Sequence, residues 1–228
     1  MTTRISPTGR IRIGLIQFPG SNCDTDCADT LKRHFDINSR QVWHQETSLP
    51  ELDAVIIPGG FSFGDYMRSG ALAARAPIMF EVRRFAERGG AVLGICNGFQ
   101  VLVESQMLPG ALLRNATLGF VCKSVHLLAQ KGNVLTMPIA HGEGRYWIDE
   151  RGLSDLENRD LIAFRYSNKF GTVSCDFNPN GSVANIAGVF SPGRKILGMM
   201  PHPERATDDV MGGSVDGLTV IRDFLDHV

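Results

Sequence analysis

The segment Gly94-Ile95-Cys96-Asn97-Gly98 has the form G-x-C-x-G and lies between an apolar run and a stretch with Gln100, Val101, Leu102 and Glu104. A strand that turns sharply into a helix is the setting in which a nucleophile is held proud of a sheet. The two glycines allow the turn, because a Cβ at either position would crowd the strained central residue. A sulfur at a helix N-terminus meets free N–H groups and the positive end of the helix dipole, both of which favour the thiolate. A buried, inert cysteine is the competing reading, since most free cysteines are of that kind.

A nucleophilic thiol needs a proton acceptor that later becomes a donor, usually a histidine held by a third group. Of the six histidines, His202 stands out in Pro201-His202-Pro203-Glu204, directly after the apolar run ILGMM. Pro203 pushes His202 out of the helical region into extended backbone. Residues i and i+2 of an extended chain share a face, so Glu204 is placed to fix the tautomer of His202 and stabilise its imidazolium. His141, in Pro138-Ile139-Ala140-His141-Gly142-Glu143-Gly144, is the competitor, because glycines beside a histidine and a glutamate also suggest a site loop.

Acyl transfer also requires donors for a developing oxyanion. Pro58-Gly59-Gly60-Phe61 follows an apolar run and presents a backbone free of side chains; the N–H groups of Gly60 and of Asn97, next to the thiol, are the expected pair. A tight structural turn is the alternative. Two strands that both end in glycine loops favour a site, because ligands of open α/β sheets bind beyond the carboxyl ends of the strands. No phosphate-binding loop and no dinucleotide fingerprint is present, so an ATP-dependent step would have to occur elsewhere.

These groups need elements to hold them. The chain has 228 residues, 43% hydrophobic, with 23 basic and 24 acidic side chains and a net charge of −1. The composition supports a packed core, and the near-neutral charge gives no electrostatic footprint for nucleic acid or an anionic membrane. Five cysteines at 23, 27, 96, 122 and 175, without a C-x-x-C pair, argue against a disulfide framework or a structural zinc site and for a reduced, cytoplasmic setting. Cys23, Cys27, Cys122 and Cys175 are assigned to packing. No signal sequence and no run of 18 apolar residues is found.

Residues 11–18, 41–44, 54–58 and 91–96 read as strands, with helices opening near Asp24 and at Pro77. The alternation implies right-handed βαβ units and an α/β fold, a doubly wound, mostly parallel central sheet with helices on both faces. From 120 to 200, strand-like runs joined by turns such as Lys131-Gly132-Asn133 and Asn180-Gly181 predict some antiparallel pairing. Val215, Leu218, Ile221, Phe224 and Leu225 mark a C-terminal amphipathic helix. One domain over 11–228, after an N-terminal extension of residues 1–10, is expected.

The blocks G-I-C-N-G-F-Q (94–100), P-G-G-F (58–61) and P-H-P-E (201–204) resemble class I, or triad, glutamine amidotransferase domains. Within them, F-P-G-S-N-C-D (18–24), G-G-F-S-F-G-D-Y (59–66), L-P-G-A-L-L-R-N (108–115), P-I-A-H-G-E-G (138–144), N-P-N-G-S (178–182) and M-P-H-P-E-R (200–205) are similar to the glutaminase subunits of phosphoribosylformylglycinamidine synthases. The resemblance runs from about residue 11 to the last residue.

It implies that Cys96 attacks the side-chain amide of glutamine, with His202 as acid and base and Glu204 orienting it. Gly59, Phe61, Gln100, His141, Gly142 and Glu143 would border or bind the substrate. Ammonia would pass to a separate synthetase subunit that holds ATP and Mg, this chain carrying no cofactor or metal, and a small third subunit would accompany the pair. A stand-alone cysteine hydrolase or peptidase of the same fold class, and a flavodoxin-like binding module with a buried Cys96, are the competing readings.

Overall fold

A computed structural model of the chain describes residues 11–209 and 213–228. The expected extension, residues 1–10, lies outside the described residues.

The first half is built from strand-helix repeats. Strand β1 (Ile13–Gln17) is buried along most of its length, as a central parallel strand must be. Helix α1 (Asp24–Phe35) carries Asp24 and Asp26 in its first turn and Lys32, Arg33 and His34 in its last, which opposes each charge to the helix dipole. Its N-cap is Cys23, and the helix opens at Asp24, where the sequence places it. β2 (Arg40–Trp43) and β3 (Ala54–Ile57) follow, then α2 (Pro77–Glu87), where Pro at the first position costs no hydrogen bond and Ile78, Val82 and Phe85 are buried. Gly89, at φ +90°, turns the chain into the fully buried β4 (Ala91–Ile95). Helix α3 (Asn97–Glu104) starts two residues later.

The remaining elements are β5 (Ala111–Leu113), β6 (Val121–Ala129), β7 (Val134–His141), β8 (Arg145–Trp147), α4 (Glu150–Asn158), β9 (Ile162–Ser167), β10 (Ile186–Phe190), β11 (Ile196–Met199) and α5 (Gly217–Leu225). β5, β8 and α4 had no sequence-based counterpart. The first two pair only with each other over three residues, too short for a clear period. α4 is mostly polar, buries only Leu156, and is announced mainly by its cap, where the Asp149 carboxylate accepts from the Gly152 N–H at 2.7 Å. Val215 is exposed and lies outside α5, whose buried face is made by Val220, Ile221, Phe224 and Leu225.

Nine strands form one sheet in the order β2-β1-β3-β4-β11-β10-β9-β6-β7. The pairings β2-β1-β3-β4-β11 are parallel and those from β11 to β7 are antiparallel. The expected α/β fold is present, and its antiparallel share is one side of the sheet. Most decisive for the site is β11, from the far end of the chain, which lies in parallel register beside β4, Gly198 opposite Gly94 and Met199 opposite Ile95. Phe99 of α3 is fully buried against this pair and stacks on Tyr146 with ring centroids 6.0 Å apart, a contact worth about 0.5–1.5 kcal/mol beyond its buried area.

Candidate active site

Cys96 follows the last residue of β4 and precedes the first of α3, and its backbone adopts φ 50°, ψ −103°. A positive φ outside the left-handed helical well is strained for a residue with a Cβ and persists only when the surroundings impose it. They do so through the flanking glycines. A Cβ on Gly94 would stand 2.5 Å from Leu102 Cδ1 and 2.8 Å from the backbone of Gly98; one on Gly98 would stand 1.9 Å from the Ile57 carbonyl oxygen. The Cys96 N–H donates to the Met199 carbonyl at 2.8 Å, which ties the turn to β11. Its thiol points toward the Ala140 carbonyl at 3.7 Å.

Three residues beyond β11, His202 is extended at φ −101°, ψ 91°, as Pro203 dictates. Its N–H donates to the Pro138 carbonyl at 2.9 Å. The Nδ1 of His202 donates to Glu204 Oε1 at 2.7 Å. The expected pair is therefore present, but the route differs. Glu204 sits in a one-turn 3-10 helix, Pro203–Arg205, so a tight turn and not a continued strand brings its carboxylate back to the ring. Both groups are almost wholly buried, at 2% and 4% exposure. Burial lowers the pKa of His202, but Glu204 and then the thiols of Cys96 and Cys23 outweigh it and hold the imidazole well above its ordinary value. With Nδ1 committed to Glu204, Nε2 has no hydrogen-bond partner and is the ring atom left for the proton exchanged with Cys96.

Gly59 is required by contact: a Cβ there would lie 2.8 Å from His202 Cε1 and 3.0 Å from Cys23 Sγ. Gly60 bridges to Ser21 at φ +152°, and a Cβ on it would meet the Gly20 oxygen at 2.8 Å. The Phe61 N–H is spent on Gly20 O at 2.9 Å, whereas the N–H groups of Gly60 and Asn97 meet no acceptor among the hydrogen bonds of the described residues. Those are the two donors expected for an oxyanion.

A cavity of about 250 Å³ brings together Gly60, Phe61, Cys96, Gln100, His141 and Glu143, with Asp65, Ser69 and Gly142 also on its wall. A larger cavity, about 570 Å³, lies over Met67, Arg68, Phe80 and Glu104 and has no cysteine or histidine on its wall, so the thiol and not the volume marks the site. Gln100 lines the small cavity, but its amide is engaged at both ends: Oε1 accepts from Asn97 Nδ2 at 2.9 Å and Nε2 donates to the Glu143 carbonyl. It braces the elbow helix against the loop after β7. Asn97 extends the brace by accepting from the Ser62 N–H at 3.1 Å and donating to Asp65 Oδ1 at 3.2 Å. The Glu143 carboxylate accepts from the Ser69 N–H at 3.2 Å, and the Gly142 carbonyl from the Asn115 N–H at 2.9 Å.

His141 ends β7, where alternate residues Leu135, Met137, Ile139 and His141 face inward. Its ring Nδ1 is 3.0 Å from Asn115 Oδ1, which also accepts from the Gly144 N–H, so Nδ1 carries the proton and Nε2 is a bare acceptor without a partner. Burial first, and His202 second, lower the His141 pKa to about 4, and the ring is neutral at pH 7. So low a pKa leaves His141 a weak base on the cavity wall, whereas His202 has a buried carboxylate partner and a raised pKa.

Sequence reasoning missed four residues here. Asp65 and Ser69 line the cavity, and burial, with a smaller contribution from Glu143, raises the Asp65 pKa despite hydrogen bonds from Ser69 and Asn97. Asn115 holds the His141 loop. Cys23, assigned to packing, has its Sγ 4.0 Å from His202 Nδ1, and Cys23, His202 and Glu204 bring one ligand atom each within 4.8 Å of one another. The signals were there in the blocks around residues 22–24, 65 and 115, but nothing local ties them to His202. Cys122 and Cys175 are exposed, not packed, because β6 turns residue 122 to solvent and residue 175 lies in a surface turn.

Comparison with known proteins agrees with this chemistry. The family described as "CobB/CobQ-like glutamine amidotransferase domain" matches residues 10–217. The chain belongs to this glutamine amidotransferase family. Within it, the amidotransferase is 48% identical to the phosphoribosylformylglycinamidine synthase subunit PurQ of Salinibacter ruber, over 95% of this chain and 97% of that one. It is 49% identical to the PurQ subunit of Thermus thermophilus, over 91% and 95%. Among solved structures, PurLQS from Thermotoga maritima matches with a TM-score of 0.82 and 37% identity over 96% of the amidotransferase and 99% of the matched chain. A glutamine amidotransferase from the same organism, at 16% identity and a TM-score of 0.55, shares the fold.

Proposed function

We propose that the chain is the glutaminase subunit of a phosphoribosylformylglycinamidine synthase, with Cys96, His202 and Glu204 as its catalytic triad. The observation that carries the assignment is the strained thiol of Cys96 beside a buried His202–Glu204 pair, in a chain alike to PurQ subunits along almost its whole length. The Cys96 thiolate attacks the side-chain amide carbon of glutamine while Gly60 and Asn97 N–H groups hold the oxyanion. Collapse breaks the carbon–nitrogen bond, His202 gives a proton to the departing nitrogen, and ammonia leaves behind a γ-glutamyl thioester. Water, deprotonated by His202, then releases glutamate and restores the thiol. Phe61, Gln100, His141, Gly142 and Glu143 enclose the substrate, Gln100 by holding the loop and not by a free amide, while Gly59 lies off the cavity wall and packs against His202.

Ammonia goes to a synthetase subunit, which binds ATP and Mg and converts formylglycinamide ribonucleotide to formylglycinamidine ribonucleotide in purine biosynthesis; a small third subunit completes the assembly, in the cytoplasm. The likeness to a chain of the PurLQS structure supports the partnership. Among the described residues no helix is long and apolar enough to cross a membrane.

Reconstitution tests the reading. Cys96→Ala should abolish glutamine-dependent amidation in the complex and leave synthesis from free ammonia intact, because only the first half-reaction uses the thiol. Loss of both activities would make Cys96 a structural residue. A diazo-ketone analogue of glutamine should form an adduct on Cys96 by mass spectrometry; rapid turnover of an unrelated ester or peptide, unaffected by the synthetase, would instead favour a stand-alone hydrolase.

A further inference from the structure

Cys23 has no place in the acyl-transfer chemistry, yet it reaches the same ring nitrogen of His202 that Glu204 holds. Its Sγ is 4.0 Å from His202 Nδ1, and that nitrogen is 2.7 Å from Glu204 Oε1. The three side chains are 2%, 2% and 4% exposed, and a ligand atom of each lies within 4.8 Å of the other two. Thiol, imidazole and carboxylate are the donors that zinc takes, and a tetrahedral ion with bonds of about 2.0–2.3 Å sets its ligands about 3.2–3.8 Å apart. The nitrogen–oxygen distance must open by about half an ångström, the sulfur–nitrogen distance close by a few tenths, and the sulfur–oxygen distance, bounded at 4.8 Å, close by up to about an ångström. All three are side-chain movements.

A second observation points to a cation. The other carboxylate oxygen of Glu204, Oε2, is buried without a hydrogen-bond partner. A buried anionic oxygen left without a protein partner is costly, and a bound cation satisfies it.

We propose that Cys23, His202 and Glu204 form an inhibitory site for a thiophilic divalent cation of the zinc class, which captures the base and its orienter and switches glutamine hydrolysis off. Binding replaces the proton on Cys23 Sγ and the Nδ1 proton of the His202 imidazolium with bonds to the metal; both protons go to solvent, and the ring stays neutral with its remaining proton on Nε2. The thiolate and the Glu204 carboxylate balance the two positive charges, and water completes the tetrahedron. With Nδ1 on the metal, Glu204 no longer orients or charges the imidazole, and His202 cannot relay the proton of Cys96. Cys23 and Glu204 are 181 residues apart in the chain and meet only because Gly59 leaves room between β3 and His202.

Cobalt absorption spectroscopy on the full chain tests this, in a Cys122→Ser/Cys175→Ser background that removes the exposed thiols. One equivalent of Co²⁺ should give a thiolate-to-cobalt charge-transfer band that persists in Cys96→Ala and is lost in Cys23→Ser. The same protein, equilibrated with Zn²⁺ because buried ligands are reached through local opening, should lose glutaminase activity and regain it with EDTA. Circular dichroism establishes that each variant is folded. If Cys23→Ser does not fold, His202→Asn replaces it, with the same loss expected. A band that survives Cys23→Ser or His202→Asn, a band that vanishes in Cys96→Ala, or no band at all overturns the site, whatever the outcome of the glutaminase assays.

Discussion

A single atom decides much at the active-site turn. The Cβ that Gly98→Ala adds would meet the Ile57 carbonyl oxygen at 1.9 Å, and backbone on that side belongs to a buried strand that cannot yield. Overpacking of this kind costs typically 1–3 kcal/mol and occasionally more, so the variant should melt several degrees lower and lose glutaminase activity; unchanged melting would contradict the contact. Glu204 acts through His202, and its removal should be graded where that of the thiol is absolute. Glu204→Gln should keep a measurable kcat, lower on the order of 10²-fold, while Cys96→Ala shows none. Its pH-rate profile should also change, because the carboxylate is the largest influence raising the His202 pKa.

Elements place the residues. The elbow works because α3 is pressed onto β4 and β11, and the close approach depends on Gly198, where a Cβ would stand 2.1 Å from Phe99 Cδ2 and 2.6 Å from Leu108 Cδ1. Gly198→Ala should push α3 outward and shift Cys96 relative to His202 with little effect on the cavity wall. A fall in kcat of roughly 10²-fold with KM nearly unchanged is expected, since small misplacements of reacting groups are expensive. Gln100→Ala removes the brace between α3 and the loop after β7 and should instead raise KM, because Glu143 and Ser69 on the cavity wall lose their anchor. Steady-state kinetics separate the two effects. In β7 the alternation that buries Leu135, Met137 and Ile139 carries His141 to the inner face. By contrast, no periodicity announces the three-residue strands β5 and β8, which exist only because each finds the other.

The whole molecule couples folding to pH through two of its buried histidines, His141 and His202, with opposite signs. His141 has a pKa of about 4 in the fold, against an ordinary 6.5 in the unfolded chain. Between those values the unfolded state binds the extra proton, so stability falls as pH drops from about 6.5 to 4, by on the order of 3 kcal/mol for this group. His202, raised well above 6.5, contributes stability below its unfolded value and loses it as pH rises through its folded one. Thermal melts of wild type and His141→Gln at pH 7.5 and 5 should show a smaller acid-induced drop in the variant. An equal drop would mean that His141 is protonated in the fold.

The chain's chemistry is written in short blocks. A cysteine between glycines at a strand-helix junction, a histidine fixed by the proline after it, a carboxylate two residues on and a double glycine after a strand are local statements, because sterics and the proline ring act within a few residues. They sufficed for the fold class and named the candidate triad and oxyanion donors. What carries His202 to the same end of the sheet as the thiol was not written there. That follows from β11 lying beside β4 in parallel register, a pairing between segments about a hundred residues apart that no local period encodes. Only the assembled sheet spent the Gln100 amide on a brace, turned Cys122 and Cys175 outward and set Cys23 against His202. The reason is common to all four: a side chain's type is fixed by its codon, but its partners are fixed by which distant backbone the core brings within reach.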